Sequence, residues 1–180
     1  AIYNRIREVS TDGTPFTVHK FIKDFPEPEI GTTKVYKYKV GRPGAWSEEY
    51  EFTMRNRDDV ITSGFNFLQV SDEQGFTEEE YEVVKLTTEF IKQDQVTNNY
   101  TYDFICQTGD ITQNGNRFNE WINYFNGRKS MLSTKEFMYL VGNNDLSPVD
   151  IHKLGVGDDW SKSNPINVTY FFTFEHPFTI

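Results

Sequence analysis

Apolar and polar positions along this chain follow two rhythms, and the change from one to the other divides it. Up to about residue 56 the rhythm is two, the period of half-buried strands. Val35 to Val40 puts Tyr36 and Tyr38 on one face, with Lys37 and Lys39 toward the other edge. Gly41-Arg42-Pro43-Gly44 is a turn, Ser47 to Met54 supplies a second strand, and Phe16-Thr17-Val18 supplies a third. Past a charged connector, Arg55-Asn56-Arg57-Asp58-Asp59, short apolar runs alternate with segments of helical period. Phe65-Asn66-Phe67-Leu68-Gln69-Val70, Phe104-Ile105-Cys106-Gln107-Thr108 and Phe137-Met138-Tyr139-Leu140-Val141 read as strands. Between the last two, Phe118, Trp121, Ile122 and Phe125 recur at spacings of three and four, with Asn116 as the cap of that helix. An earlier helix opens on a capping box, Thr77 with Glu80. It carries Tyr81, Val84, Leu86, Phe90 and Ile91 on its apolar face and runs to about Lys92, leaving Gln93 to Tyr100 as a polar loop. Its first-turn glutamates, Glu78, Glu79 and Glu80, complement the helix dipole and are not needed as ligands.

Strand, helix, strand in this order predicts parallel strands joined by crossovers, whose carboxyl ends open on one side. Ligands collect at such an edge. All three strands end there in oxygen-bearing loops: Ser71-Asp72-Glu73-Gln74-Gly75, then Gly109-Asp110, then Gly142-Asn143-Asn144-Asp145. Asp, Asn and Gly are also ordinary turn residues, so any one loop alone says little. Together they present the carboxylate and amide oxygens that hard or borderline divalent cations prefer. Two cations about 3.5–4 Å apart need a bridging carboxylate, and Asp110 is the candidate.

In their order, Asp72-x-Gln74, Gly109-Asp110 and Gly142-Asn143-Asn144-Asp145 resemble the first half of the calcineurin-like metallophosphoesterases, and the run Gly115-Asn116-Arg117-Phe118-Asn119-Glu120-Trp121, on to Phe125, resembles the segment after that family's Gly-Asp motif. The resemblance spans Phe65 to Ile180. It implies two divalent or trivalent metal ions drawn from Fe, Mn and Zn, with Asp72 and Gln74 on one, Asp110 between both and Asn143 on the other. It also implies a phosphate ester as substrate, attacked directly by a metal-bound hydroxide, with Asn144 and Asp145 shaping the substrate side. Departures accompany the matches. Histidine usually stands where Gln74 does, although a glutamine form occurs in the family. Histidine also usually stands at Asn144 and serves as the acid to the leaving group, and an asparagine has no proton to give near neutral pH. The family's later histidines, including a Gly-His-x-His pair, have no counterpart, since the chain's histidines are His19, His152 and His176.

Upstream, Tyr36-Lys37-Tyr38-Lys39-Val40-Gly41, Trp46-Ser47-Glu48 and Tyr50-Glu51-Phe52-Thr53 are similar to the end of the fibronectin type III-like domain that precedes the catalytic domain in purple acid phosphatase relatives. The expected fold class is therefore α/β: the front half of a metallophosphatase β-α-β sandwich (residues 58–180) preceded by a partial all-β sandwich module (residues 1–57). Both ends look cut, which suggests an internal piece of a longer polypeptide. Its completing partner would then be the remainder of its own polypeptide or another subunit.

Composition narrows the partners. Sixteen Phe, ten Tyr and three Trp in 180 residues suit aromatic-packed β-rich modules. A formal charge of −9 argues against nucleic acid or an anionic membrane as main partner, since both need a basic surface. No apolar run reaches the roughly 18 residues of a membrane span. Cys106, the one cysteine, sits inside a strand as a packing thiol and excludes an internal disulfide. The sequons Asn99-Tyr100-Thr101 and Asn167-Val168-Thr169 point to an extracellular or secretory location. Beyond Asp145 the pattern predicts a short helix with Ile151, His152 and Leu154, an irregular stretch over 155–165 and a strand over Asn167–Phe174, with His152 and His176 structural.

A metal-dependent phosphoric ester hydrolase, present here as its front half and inactive as this chain alone, is the leading expectation. The competing class is a non-catalytic descendant serving as a structural or binding subunit of a larger assembly, favoured by the vacant acid position at Asn144. A carbohydrate- or protein-binding β module with an appended α/β domain is the third, permitted by aromatic content without a motif of its own.

Overall fold

A computed structural model describes residues 2–9, 15–115 and 117–145. The expected helix, loop and strand beyond Asp145, with His152, His176 and the Asn167 sequon, lie outside the described residues, as does Asn116. The first strands are β1 (Ile2–Val9), β2 (Pro15–Ile22), β3 (Thr33–Tyr38), β4 (Gly41–Arg42), β5 (Ala45–Trp46) and β6 (Tyr50–Arg55). They pair antiparallel as β1 with β2, β3 with β6 and β4 with β5, each pair a separate two-stranded sheet. The described residues of this region thus form two-stranded ribbons.

Tyr36 and Tyr38 occupy the half-buried face of β3, as the alternation requires. Tyr36 stacks on Phe52 at 5.6 Å and Phe25 meets both rings, so an aromatic cluster holds β3 to β6. Polar contacts tie these ribbons to residues further along the chain. Tyr38 donates its hydroxyl hydrogen to Ser133 O at 2.8 Å, and Arg55 pairs with Asp103 at 3.3 Å.

The charged connector is partly helical. Asn56 accepts from Asp58 N–H at 2.8 Å and caps α1 (Arg57–Ser63), whose first turn carries Asp58 and Asp59. Charge alone suggested a linker, but Asn56 with two aspartates just after it is also what a helix start needs.

The second rhythm builds β7 (Phe67–Val70), α2 (Glu78–Asn98), β8 (Phe104–Gln107), α3 (Phe118–Leu132) and β9 (Glu136–Tyr139). The strands form one parallel sheet in the order β7-β8-β9. Each crossover advances one strand in the same direction, so right-handed connections place both helices on one face. Gly127 of α3 there lies so close to α2 that a Cβ would come within 3.1 Å of Val84. Two clusters fill the space between helices and sheet. Tyr81, Val84, Ile111, Trp121, Tyr124 and Tyr139 make one, and Ile91, Tyr102, Ile105 and Met131 make the other.

The expected capping box at Thr77 and Glu80 is present. The helix it opens, however, runs on through the expected polar loop to Asn98. Thr97 donates to Gln93 O at 2.9 Å and Asn98 to Asp94 at 2.7 Å, so polarity there marks a solvated last turn instead of a loop, and Asn99 in the left-handed conformation ends it. Leu86 and Phe90, expected on the apolar face, are exposed, while Thr88 takes the buried position between Val84 and Ile91. Ile122 is likewise outward. The cap position of α3 belongs to Arg117, with no side-chain cap bond, one residue after the expected Asn116. Cys106 is half-buried and free.

Candidate metal centre

The carboxyl ends of β7, β8 and β9 do lie together, and the loops after them are laced to one another. Asp72 N–H donates to Gly109 O and Glu73 N–H to Asp110 O, each at 3.1 Å, which fixes the first loop to the second. Gly115 N–H donates to Asn144 O at 3.0 Å, and Asn144 N–H to Asp110 Oδ1 at 2.9 Å, which fixes the second to the third. The second and third loops touch through glycines. A Cβ on Gly109 would come within 2.8 Å of the Gly142 Cα, and one on Gly142 would collide with the Asp110 side chain. The two loops can approach this closely only because both positions lack a side chain.

Asp72 and Asp110 both adopt positive φ, 54° and 55°, a conformation that costs most side chains energy and recurs at functional sites. Desolvation is the main force raising the Asp110 carboxyl above its ordinary value, and the charges of Asp145 and Asp72 add to it, against the pull of Asn144 N–H. Ser71 Oγ donates to Asp72 Oδ2. Gln74 Oε1 is buried with no hydrogen-bond partner among the described residues. Asn143 is exposed, its amide 3.4 Å from Asn144 Oδ1. A cleft of about 280 Å³ lies on the α2 side of the first loop, lined by Asp72, Glu73 and Gln74 and by Glu80, Val83, Val84 and Thr87. Asp110 and Asn143 stand outside it, so it adjoins the strand-end edge without being that edge.

The donor chemistry here fits a cation. Two carboxylates repel each other and the loop that carries one of them also carries an orphaned amide oxygen, groups that a hard or borderline divalent ion would satisfy. Among the described residues no group of three or more His, Cys, Asp or Glu could hold a metal, so a donor set at this edge would have to include amide oxygens.

Asp145 is a correction. Expected beside Asn144 on the substrate side, it is fully buried, and its carboxylate accepts from the N–H groups of Asp110, Ile111, Thr112 and Gly142, each at 2.9 Å, and from the Thr112 hydroxyl at 3.0 Å. Its oxygens are spent on holding the second and third loops together. Asn144 is half-buried, with its backbone amide committed to Asp110.

Other supports were not anticipated. Glu120 is fully buried and accepts from Gln113 and Asn114 N–H at 2.9 and 2.8 Å, fixing the loop that leads from Asp110 into α3. Burial, above all, pushes its carboxyl above the usual range. Glu73 points into the core, where it pairs with the buried Arg128. Desolvation raises its carboxyl too, opposed by the Arg128 charge. A signal for Arg128 existed in the sequence. Trp121, Tyr124, Arg128 and Met131 share one helical stripe, and a cation on a buried stripe calls for a buried anion.

A family model described as calcineurin-like phosphoesterase matches residues 65–177 of the chain, from the residue that leads into β7 to beyond the described residues. Comparison with curated proteins finds no match.

Proposed function

The chain belongs to the calcineurin-like phosphoesterases, and from that premise we propose that its strand-end edge is the front half of a phosphoric ester hydrolase site. Asp72, Gln74, Asp110 and Asn143 would hold the metal, with Asp110 shared where two ions bind, and Fe, Mn and Zn are the candidates. A bound cation would supply charge neutralisation to a phosphate ester and acidify a water molecule for attack. The chain's own contributions are positional. Asp145 keeps Asp110 and Gly142 in register by accepting their amides. Asn144 offers a neutral amide to a phosphoryl oxygen and gives no proton, so departure of the leaving group falls to aryl or other good leaving groups, or to solvent.

The observation that carries this reading is Asp110. It closes the central strand of the three, holds a strained backbone angle and faces the charge of Asp72. Loading the complete polypeptide with Mn, Fe or Zn and measuring release from an aryl phosphate tests it: Asp110→Asn should abolish both stoichiometric metal uptake and phosphate release. Equal rates for the two proteins, or none from either with every metal, would overturn it.

The same proposal extends further along the chain. The aromatic β3 and β6 pair supports a place among purple acid phosphatase relatives, with residues 1–57 as a partial fibronectin type III-like module and 58–180 as the phosphoesterase half. The exposed Asn99 sequon supports a secretory location. No helix of the described residues is long and apolar enough to cross a membrane. A second reading, a non-catalytic subunit completed by the rest of its polypeptide or by another chain, is favoured by Asn144 in the acid position. Elemental analysis separates the two, since the subunit needs no stoichiometric metal.

A further inference from the structure

We propose that Arg128 is a positioning residue for the loop that carries Asp72 and Gln74, acting through Glu73. Glu73 lies between the two candidate donors in sequence, and its side chain is the loop's anchor in the core. One carboxylate oxygen pairs with Arg128 Nη2; the other lies 3.3 Å from Gln107 Nε2 and 3.4 Å from the Tyr124 hydroxyl. Arg128 is fully buried on α3 and donates through Nη1 to Thr88 Oγ1 of α2 at 3.0 Å. One guanidinium thus joins both helices, and through Glu73 it joins them to a loop whose Asp72 and Glu73 amides bond to the loop after β8.

Stability alone does not explain this arrangement. Removing two charges from water costs more than their attraction returns unless geometry and remaining hydrogen bonds are good, and an apolar pair of equal volume would pack as well or better. The pair is also incompletely satisfied: Arg128 Nε and Gln107 Oε1 are buried without partners among the described residues. What an ion pair supplies and a greasy contact does not is a defined place. Anchoring Glu73 limits the excursion of its neighbours on both sides. Outer-shell partners of metal ligands act in this way elsewhere.

That the loop ligates a cation rests on the function proposed above; that Arg128 sets where the loop sits does not. The test uses the full chain with Arg128→Met, Arg128→Lys and Glu73→Gln, read by hydrogen exchange and by calorimetric titration with Mn²⁺. In Arg128→Met the amides of Asp72 and Glu73 should exchange about tenfold faster relative to those of Ile105 and Cys106 in β8. Mn²⁺ affinity should fall about tenfold, the lower end of what loss of an outer-shell partner produces. Arg128→Lys should recover part of both, because it keeps a charge for Glu73 but not the fork that also reaches Thr88. If Arg128→Met does not fold, Glu73→Gln carries the same two readouts. Exchange that rises equally at the loop and in β8 would overturn the proposal and leave Arg128 a purely stabilising residue. If the unaltered chain takes up no Mn²⁺ while the loop amides alone accelerate, the positioning stands and the metal-centre reading fails.

Discussion

The loops that carry the candidate ligands are held by two different devices. After β8 and β9, buried carboxylates accept backbone amides: Asp145 takes four N–H groups and a hydroxyl, and Glu120 takes two N–H groups. After β7, the loop's own carboxylate, Glu73, reaches into the core for the charge of Arg128. A carboxylate facing fixed amides is specified by backbone geometry, which cannot be satisfied elsewhere without moving the chain. An ion pair is specified by two side chains and their charge, so it can be replaced as a pair. The β8 and β9 loops should therefore tolerate no loss of their anchor, whereas the β7 loop should tolerate loss of both partners better than loss of one.

The most damaging single change should be Asp145→Ala. It strands the buried N–H groups of Ile111 and Thr112, each costing about 1–3 kcal/mol when unsatisfied, and the part-buried ones of Asp110 and Gly142, which cost less, so the loss should reach about 4 kcal/mol or more. A shift in the urea midpoint equivalent to less than about 1 kcal/mol would mean that other groups hold these loops. Next comes the ion pair. Arg128→Met leaves Glu73 charged and buried, at a cost of about 3–5 kcal/mol, and adding Glu73→Leu should return much of it because the uncompensated charge is gone. Additive losses in the double variant would show that the two anchors do not differ in kind.

Gly142→Ala tests the contact between the loops rather than their anchors. The added methyl collides with Asp110, so the third loop must retreat, with a penalty of about 1–3 kcal/mol in urea denaturation typical of overpacking. Cation uptake should fall further than stability does, since Asp110 and Asn143 separate as the loop moves. A variant with unaltered stability would show that the loops are looser than their spacing implies.

How much of this could be read from the chain depended on the length scale of the signal. Parallel strands ending at one edge could be inferred from periodicity and from the oxygen-bearing residues after each strand, because both are local and β7, β8 and β9 repeat the pattern. The helical continuation of α2 was hidden by Gln93-Asp94-Gln95, where polarity suggested a loop although these side chains favour a solvated helix once one has begun. Asp145 was placed on the wrong side of the site. Its position after Asn143-Asn144 made it look like a surface carboxylate, and nothing local says that three backbone amides from residues 110–112 converge on it together with that of Gly142. The stripe of α3 marks Arg128 as a buried cation, but that its anion is Glu73, 55 residues away, has no signature in one sequence. The ribbons of β1 to β6 show the opposite case: the alternation is clear, but which strand pairs with which, and whether sheets face each other, is not contained in it.

The smallest expected effect is the response of Glu120 to pH. Burial raises its carboxyl above the ordinary value of 4.5. The folded chain therefore holds this proton more tightly than the unfolded chain does, and the group's contribution makes stability fall as pH rises from about the unfolded value through the raised folded one. Below that window both states are protonated and the penalty is absent; above it the penalty is complete. Glu120→Gln removes the titration while leaving an oxygen to accept from Gln113 and Asn114, at the risk of a weaker bond. The stability difference between variant and parent should accordingly shift in favour of the variant as pH rises from the unfolded value through the raised folded one, measured by urea midpoints at each pH. Parallel curves would mean that the two amides and Arg117, 3.6 Å away, compensate the burial in full.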